Sequence, residues 1–462
     1  MFNIKNIKKN KLALIGPNNL KYTYGDILVK SKEINSYLEK NSLILIVCKN
    51  TVESIVGYIS FLDNNHITII MDHSFKEEYV NKIINLYKPH YIYSDKFFFK
   101  QNSFNEKIFS YINFNLYKTS FKKKLKSNNK NYILLSTSGT TQNPKFVRLS
   151  KSNIRNNTKD IRKYLKINEN HTAITTMPMG YSYGLSIINT HLYAKAKILV
   201  NELTIFEKNF WKKIKKYKIT SLNGVPQFYE YLMRLKIDNF SINEIKYFTQ
   251  AGGKLSQNII SYFSSICKKN KSKFFIMYGQ TEASPRMSYL DPRKIDIKKE
   301  SIGKPIRGTV FKIFDKRNKI IKKAFSEGEL IFEGKNVSLG YANNFNDLNK
   351  GDVNKGKLFT GDIVYKDKDN YYFIIGRKNR FSKIFGIRVN LDDIEKKLKE
   401  KNYIVKCLTN SQFLEIRVQN KDYNFDEIKN IIKDYTGINK NFISIEKVQN
   451  LNSLFKLKNY IK

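Results

Sequence analysis

The sequence is poor in the residues that hold metal ions and disulfides. Cysteine occurs only at Cys48, Cys267 and Cys407, and these positions lack the spacing of a zinc site or a disulfide framework. The five histidines form no tight cluster, so a histidine-based metal or catalytic site has little support. The cysteines are interpreted as packing residues in a protein of a reducing compartment.

Long hydrophobic runs are also missing. No segment approaches the roughly 18 apolar residues of a membrane span. The opening residues, MFNIKNIKKN, carry charge where a secretory signal needs an apolar stretch. We therefore expect a cytoplasmic protein with no membrane span.

Acidic residues are scarce beside basic ones, which gives a formal net charge of +43. Such a charge would suit a polyanion partner. However, Lys and Asn are overused along the whole chain rather than in one stripe, which indicates a drift of composition. No nucleic-acid partner is expected, and a polyanion-binding protein without catalysis is kept as the alternative of a different class.

The order of apolar and polar segments predicts α/β layers in at least two structural units, because 462 residues exceed one hydrophobic core. Short apolar runs such as ILIV (44–47) and ITIIM (67–71) alternate with helical stretches such as 53–62, as in parallel sheets. From about residue 301, shorter segments with glycine turns predict a β-rich subdomain. Near the C-terminus Leu391, Ile394 and Leu398 share one helical face, and two paired strands, a second helix and a strand follow.

The segment STSGTTQNPKFV (136–147), directly after the apolar strand YILL, carries the strongest chemical signal. Its small and hydroxyl residues leave backbone N–H groups and hydroxyls for phosphate oxygens, and Lys145 adds a positive charge. The spacing differs from that of the P-loop. A phosphate site and a flexible Ser/Thr loop both fit these residues.

A further apolar strand runs into YGQTEAS (278–284). At such a strand end Tyr278 could stack on a base, Thr281 could contact a phosphate and Glu282 could hold Mg²⁺. The same residues could equally cap a strand. Upstream, Gly252 and Gly253 have no side chains and would let a flat ring approach the backbone.

The segment 359–380 predicts a β-hairpin with strands near 363–366 and 371–376 about the polar turn KDKDN. Pairing about that turn puts Asp362 and Arg377 almost opposite one another. The two side chains form either a structural ion pair or a clamp whose carboxylate accepts both hydroxyls of a ribose.

Together and in this order, the segments resemble the adenylate-forming superfamily of acyl-CoA synthetases, nonribosomal-peptide adenylation domains and luciferases. STSGTTQNPKFV is similar to the family's phosphate loop STSGTTGxPKGV, YGQTEAS to YGxTE, FTGD to TGD, and GRKNRFSKIFGIRVNLDDIE to GRxDxxxKxxGxRVxxxEIE. Segments 301–308 and 328–341 resemble the linking motifs, so nearly the whole chain is covered. Gln142 and Phe146 replace two glycines of the phosphate loop, which is expected to reduce its mobility.

The resemblance implies the fold and the domains. The expected fold class is α/β, with a large N-terminal ATP- and acyl-binding domain (1–376) of two doubly wound α/β subdomains plus a β-barrel-like subdomain. A hinge (377–380) would join it to a small, mobile α+β C-terminal domain (381–462).

The resemblance also implies a role for each matching residue. The ATP triphosphate would lie against Thr137, Ser138, Gly139, Thr140, Thr141 and Lys145. Tyr278 would stack on adenine beside Gly252, Gly253 and Gly279, with Thr281 near the α-phosphate and Glu282 on Mg²⁺. Asp362 and Arg377 would hold the ribose. Lys456 would be the catalytic lysine, with Lys458 as the alternative, and Gly386 would lie beside the pantetheine channel.

The implied activity is ATP-dependent activation of a small carboxylic acid to an acyl adenylate, with release of pyrophosphate. The acyl group would then pass to the thiol of CoA or to the phosphopantetheine of a separate acyl or peptidyl carrier protein. In the acyl segment 175–186, Tyr181 and Tyr183 would wall an apolar tail or only pack the core. Gly184 stands about where amino-acid-activating members carry Asp, which favours a simple acyl or aryl acid. Amino-acid adenylation and transfer to a non-thiol acceptor remain alternatives.

Overall fold

The computed structural model describes residues 2, 7–98, 106–125, 130–136, 145–315, 317–378, 381–385, 387–409, 413–419 and 423–448. Within these residues the chain divides into two compact units. One unit takes the residues up to 374 except 361–363, and the other takes 361–363 and the residues from 375 onward. The domain boundaries and the hinge given above stay predictions, and residues 379–380 of that hinge lie outside the described residues.

The first sheet of the larger unit is built mainly from the N-terminal elements. These elements are β1 (Leu12–Ile15), β2 (Lys21–Thr23), α1 (Tyr24–Ser36), β3 (Leu43–Cys48), α2 (Val52–Asp63), β4 (Ile67–Asp72), α3 (Glu77–Tyr87), β5 (Tyr91–Ser94), β6 (Glu106–Tyr111), β7 (Phe114–Lys118), β8 (Asn131–Ser136) and β9 (Phe146–Ser150). Seven of these strands lie in the sheet in the order β9-β8-β4-β3-β5-β7-β6, and a short strand from later in the chain is added beside β9. The centre of the sheet, from β8 through β4 and β3 to β5, is parallel.

The predicted strand at 44–47 is the fully buried β3. Its alternate residues serve two hydrophobic clusters, with Ile44 and Ile46 in one and Leu43 and Leu45 in the other. Both faces of this sheet are therefore covered, which explains why the strand is a continuous apolar run rather than an alternating one.

The second sheet is built from the next part of the chain. Its elements are α4 (Lys151–Leu165), β10 (Thr172–Ile174), α5 (Ser182–Tyr193), β11 (Lys197–Leu199), α6 (Lys208–Lys216), β12 (Ser221–Gly224), α7 (Pro226–Arg234), β13 (Tyr247–Gln250), α8 (Gln257–Lys269), β14 (Lys273–Gly279), β15 (Arg286–Tyr289) and β16 (Lys304–Pro305). The order is β16-β15-β14-β13-β12-β10-β11-β1-β2. Strands β10, β12, β13 and β14 are parallel, so their carboxyl ends lie at one edge of the sheet.

A third sheet follows in the region where a barrel-like subdomain was expected. The strands in this part of the chain are β17 (Val310–Phe314), β18 (Ile320–Ile321), β19 (Gly328–Glu333), β20 (Tyr341–Ala342), β21 (Lys357–Lys366) and β22 (Tyr372–Arg377). The sheet has the linear order β18-β17-β19-β21-β22, while β20 pairs with β9 of the first sheet. Closure into a barrel is not confirmed among the described residues, and the two-residue edge strand β18 offers little backbone for it.

The smaller unit has its own core. Its elements are β23 (Phe381–Ile384), β24 (Ile387–Asn390), α9 (Leu391–Lys399), β25 (Val405–Thr409), β26 (Leu414–Gln419), α10 (Phe425–Thr436) and β27 (Ile443–Val448). The predicted helical face is confirmed, because Leu391, Ile394 and Leu398 are all buried in one cluster. The predicted pairing of β25 with β26 is also confirmed, and β27 adds in parallel to β26.

The described residues bear on membrane spans, on metal clusters and on the cysteines. No described helix has the length and hydropathy to cross a bilayer, and no three described His, Cys, Asp or Glu side chains gather as a metal cluster. All three cysteines are buried, and burial raises the pKa of Cys267 to about 11. A thiol with such a pKa is unreactive at neutral pH, as expected of a packing residue.

Candidate active site

The loops that leave the carboxyl edge of the second sheet bring two hydroxyls together. Thr281 follows β14, Ser182 begins α5, and their Oγ atoms are 3.1 Å apart. Helix α5 has no side-chain cap at its N-cap residue, Tyr181. The positive end of its dipole therefore lies beside these hydroxyls, an arrangement that suits an anion.

The carboxylate predicted to hold Mg²⁺ has a specific partner that the sequence analysis did not identify. Glu282 is 8% exposed, and the Tyr341 hydroxyl donates a hydrogen bond of 2.7 Å to its Oε1. The Lys145 ammonium lies 4.3 Å from the centre of the Tyr341 ring. Lys145, Tyr341 and Glu282 thus form one contact chain that links the end of the predicted phosphate loop to the predicted metal ligand.

Strand pairing explains how these residues meet. The phosphate loop joins the antiparallel strands β8 and β9, and Ser136 pairs with Phe146 across its base. On the other side of β9, Tyr341 of β20 pairs with Val147. Tyr341 is the last residue of the segment 328–341 that was compared only with a linking motif, and no signal in the sequence pairs it with β9.

Tyr278 occupies a more buried position than an open base-stacking platform would. Its ring is 8% exposed and meets Phe311 edge-on at 6.3 Å. The Gln280 amide donates to the Thr360 carbonyl at 3.0 Å, which ties the YGQTE turn to the strand that carries the TGD motif. Adenine stacking on Tyr278 stays a prediction.

The three glycines assigned to the nucleotide site lie in the loops after two neighbouring strands. Gly252 and Gly253 follow β13, and Gly279 ends β14. A Cβ on Gly279 would be 1.9 Å from the Pro285 carbonyl oxygen, so the turn into β15 leaves no room for a side chain. Glycine is required there by backbone packing, whether or not a ligand binds.

Asparagine side chains fix the backbone around Glu282. The Asn336 amide donates to the carbonyls of Ala283 at 2.6 Å and Arg286 at 2.9 Å. From α4, Asn157 donates to the same Arg286 carbonyl at 2.7 Å, and Asn153 holds the Val337 carbonyl at 2.7 Å. These buried amides position the turn on which Thr281 and Glu282 lie, and the sequence analysis missed them.

The predicted contact across the β21–β22 hairpin is confirmed. Arg377 Nε donates to Asp362 Oδ1 at 2.7 Å, with Asp362 almost fully buried and Arg377 about one-third exposed. One nitrogen and one oxygen define this contact, so a structural ion pair and a ribose clamp both remain compatible with it.

The two tyrosines of the predicted acyl pocket pack in one hydrophobic cluster with Met177, Ala251 and Met277. Tyr183 is 3% exposed, and its hydroxyl donates to the Thr249 carbonyl at 2.8 Å. A Cβ at Gly184 would lie 2.0 Å from the Pro178 carbonyl oxygen. An aspartate at residue 184 would therefore have no room on this backbone, and the preference for a simple acyl or aryl acid stays a prediction.

Several predicted site residues fall outside the described residues. They are Thr137, Ser138, Gly139, Thr140 and Thr141 of the phosphate loop, Gly386 of the thiol channel, and the lysines Lys456 and Lys458. Their roles stay predictions.

Comparison with known proteins supplies the family. The model of the AMP-binding enzyme family matches residues 5–342. The chain belongs to this family. Among curated relatives, oxalate–CoA ligase of Arabidopsis thaliana is 28% identical over 250 residues, covering 53% of this chain and 48% of the relative. Probable 4-coumarate–CoA ligase 3 of Dictyostelium discoideum is 30% identical over 269 residues, covering 57% and 48%. The chain thus spans about half the length of these relatives.

A solved structure agrees with the family assignment at the level of the fold. An o-succinylbenzoate CoA synthetase from Bacillus subtilis, bound to a product analogue, superposes with a TM-score of 0.75 at 17% identity, covering 96% of this chain and 93% of that one. The α/β fold class, with a large N-terminal and a smaller C-terminal part, is therefore that of an AMP-binding enzyme.

Proposed function

We propose that this AMP-binding enzyme activates a small carboxylic acid with ATP, forms an acyl adenylate and releases pyrophosphate, and then transfers the acyl group to the thiol of CoA. The observation that carries the proposal is the contact chain from Lys145 through Tyr341 to Glu282, with the Thr281 and Ser182 hydroxyls on the adjacent turn. A cation, a carboxylate and hydroxyls at a helix N-terminus are the groups that a magnesium–triphosphate requires.

The environment of Glu282 fits a magnesium ion. Tyr341 occupies Oε1, and no described residue donates a hydrogen bond to Oε2, which leaves that oxygen for a cation. Mg²⁺ commonly takes one or two carboxylates together with phosphate oxygens rather than a cage of protein ligands. One carboxylate at this turn is therefore sufficient, and bound Mg²⁺ would neutralise charge on the phosphates.

The chemistry needs electrostatic help rather than a protein nucleophile. A carboxylate repels the α-phosphate it must attack, so the protein has to hold two anions together and stabilise the charge that develops between them. Lys145 and the N-terminus of α5 supply part of this positive potential. Lys456 is proposed to bridge the two reacting anions, and Asp362 and Arg377 are proposed to hold the ribose.

The second half of the proposed reaction is transfer of the acyl group to a thiol. The names of curated relatives favour CoA as the acceptor, and the phosphopantetheine of a separate carrier protein is the other thiol in question. Rotation of the C-terminal domain about residues 377–380, which would exchange Lys456 for the Gly386 face, is proposed from the resemblance.

The test is ATP–pyrophosphate exchange with a panel of carboxylic acids, using the full chain. We expect exchange that requires both ATP and an acid, and its loss in Glu282→Gln with the melting temperature retained. CoA and a holo carrier protein are then offered in parallel, and the thioester is identified by mass. ATP binding without exchange for any acid would refute adenylation, whereas adenylate formation without thioester would refute only the transfer step.

A further inference from the structure

Arg286 is a buried cation beside the predicted acyl pocket. It begins β15 opposite Gly279, and the residue is 2% exposed. Its guanidinium carbon lies 5.1 Å from the centre of the Tyr183 ring. A full positive charge thus lies beside Tyr183 of the predicted acyl pocket, where the sequence did not indicate one.

This charge is poorly compensated within the described residues. Arg286 Nε is buried without a hydrogen-bond partner, and no described carboxylate forms an ion pair with the guanidinium. Its polar neighbour is Tyr164, whose pKa burial raises to about 12 although the positive charge of Arg286 opposes the rise. Burying an arginine without an anion is costly, and an aromatic face returns only part of the lost hydration.

A second buried arginine, Arg148, has a structural role, and its hydrogen-bond partners differ from those of Arg286. Arg148 is 0% exposed and its Nε is likewise buried without a partner, but its two terminal nitrogens donate to three backbone carbonyls, those of Lys350, Leu339 and Gly351. It therefore fixes the 339–351 segment. Arg286 has no such set of carbonyl acceptors among the described residues, so packing of the backbone does not explain its charge.

We propose that Arg286 binds a second carboxylate of the acid, so that the chain activates a dicarboxylic acid. The inference rests on the proposed function and names its substrate class. The carboxylate distal to the reacting one replaces the missing anion, and a bidentate contact to the guanidinium would orient the chain of the substrate over Tyr183. The named relatives do not decide this point, since oxalate has two carboxylates and 4-coumarate has one.

The experiment compares diacids of two to six carbons with monoacids of the same length in ATP–pyrophosphate exchange. We expect the best diacid to exceed its matched monoacid at least about tenfold in kcat/KM, and Arg286→Met to lose that preference by lowering diacid activity while monoacid activity is kept or raised. Arg286→Lys should retain a reduced preference. An equal loss for both acids would instead assign Arg286 to the reacting carboxylate and overturn the proposal, as would an unchanged ratio.

Stability measurements separate this proposal from a structural role and from failure of the proposed function. Arg286→Met should melt at or above the wild-type temperature, because a buried unpaired charge is removed. Arg148→Met, the matched control, should melt clearly lower because three backbone carbonyls, of which that of Leu339 is buried, lose their donor. Diacids alone should raise the melting temperature of the wild type but not of Arg286→Met. If no acid supports exchange, the proposed function fails. If diacids then also leave the wild-type melting temperature unchanged, the dicarboxylate site is overturned too.

Discussion

Replacement of Tyr341 by phenylalanine isolates one contact of the candidate site. The change removes the hydroxyl that donates to Glu282 at 2.7 Å and keeps the ring over which Lys145 lies. A hydrogen bond to a carboxylate contributes about 1.5–3 kcal/mol, which corresponds to about 10- to 100-fold in binding. Because Tyr341 is 38% exposed and water can replace part of the contact, we expect the lower part of this range, about 10- to 30-fold.

The assay is the Mg²⁺ dependence of pyrophosphate exchange at saturating ATP and acid. We expect the Mg²⁺ concentration for half-maximal rate to rise by that factor, since partners of a metal ligand orient it for the ion. Tyr341→Leu, which also removes the ring from Lys145, should in addition raise the KM for ATP about two- to fivefold.

The control for this prediction is Tyr87→Phe. The Tyr87 hydroxyl donates to the carbonyl of Ala342, the residue next to Tyr341, without touching Glu282. This variant should lose stability, about 1 kcal/mol, and keep the Mg²⁺ dependence of the wild type. The reasoning is refuted if Tyr341→Phe leaves the Mg²⁺ dependence unchanged, or if both variants shift it equally.

Three further outcomes are expected. Lys456→Ala should abolish adenylate formation far more than ATP binding by calorimetry, and the same phenotype in Lys458→Ala instead would move the catalytic assignment by two residues. Asp362→Asn should raise the KM for ATP about tenfold or more and remove discrimination against 2′,3′-dideoxy-ATP, while Arg377 keeps a neutral hydrogen-bond partner. A drop in melting temperature without these changes would indicate a structural ion pair. Burial lowers the pKa of His191 to about 4, so protonation of the ring favours the unfolded state. The stability that the neutral ring contributes is complete above pH 6.5, and about 3 kcal/mol of the free energy of unfolding is lost as the pH falls to 4. The free energy of unfolding of His191→Gln should therefore fall less steeply with decreasing pH than that of the wild type. An unchanged acid side of the curve in this variant would show that the ring is already protonated in the folded protein.

Sequence patterns predicted the fold where one local signal was sufficient. The buried strand β3 was predicted because burial on both faces requires a short continuous apolar run. The helical face of Leu391, Ile394 and Leu398 was predicted because burial of one face requires apolar residues at helical spacing. The contact between Asp362 and Arg377 was predicted because a hairpin fixes its own register. The barrel was not confirmed, since closure depends on whether edge strands such as β18 find partners far along the chain.

The site was predicted incompletely for a related reason. Tyr341 meets Glu282 only because β20 pairs with β9 at the edge of the first sheet although the two strands are far apart in the sequence, and no local pattern encodes such a pairing. Arg286 looked like one basic residue among many, because a sequence with a large excess of lysine does not show which cation is buried. Long-range pairing and burial, rather than residue type, separate these two residues from their neighbours.

The replacement of a phosphate-loop glycine by Phe146 illustrates how packing changes the meaning of a substitution. The expectation from Gln142 and Phe146 together was reduced mobility of the phosphate loop. In the structure Phe146 is 0% exposed, pairs with Ser136 across the loop base and packs edge-on against Tyr87 at 5.1 Å. The same Tyr87 holds the carbonyl beside Tyr341. Phe146 therefore turns its side chain into the core rather than toward the loop, and it braces the strand from which Lys145 reaches the Tyr341 ring. A glycine at this position would remove these core contacts and loosen the strand from which Lys145 reaches Tyr341, so Phe146 supports the contact chain to Glu282.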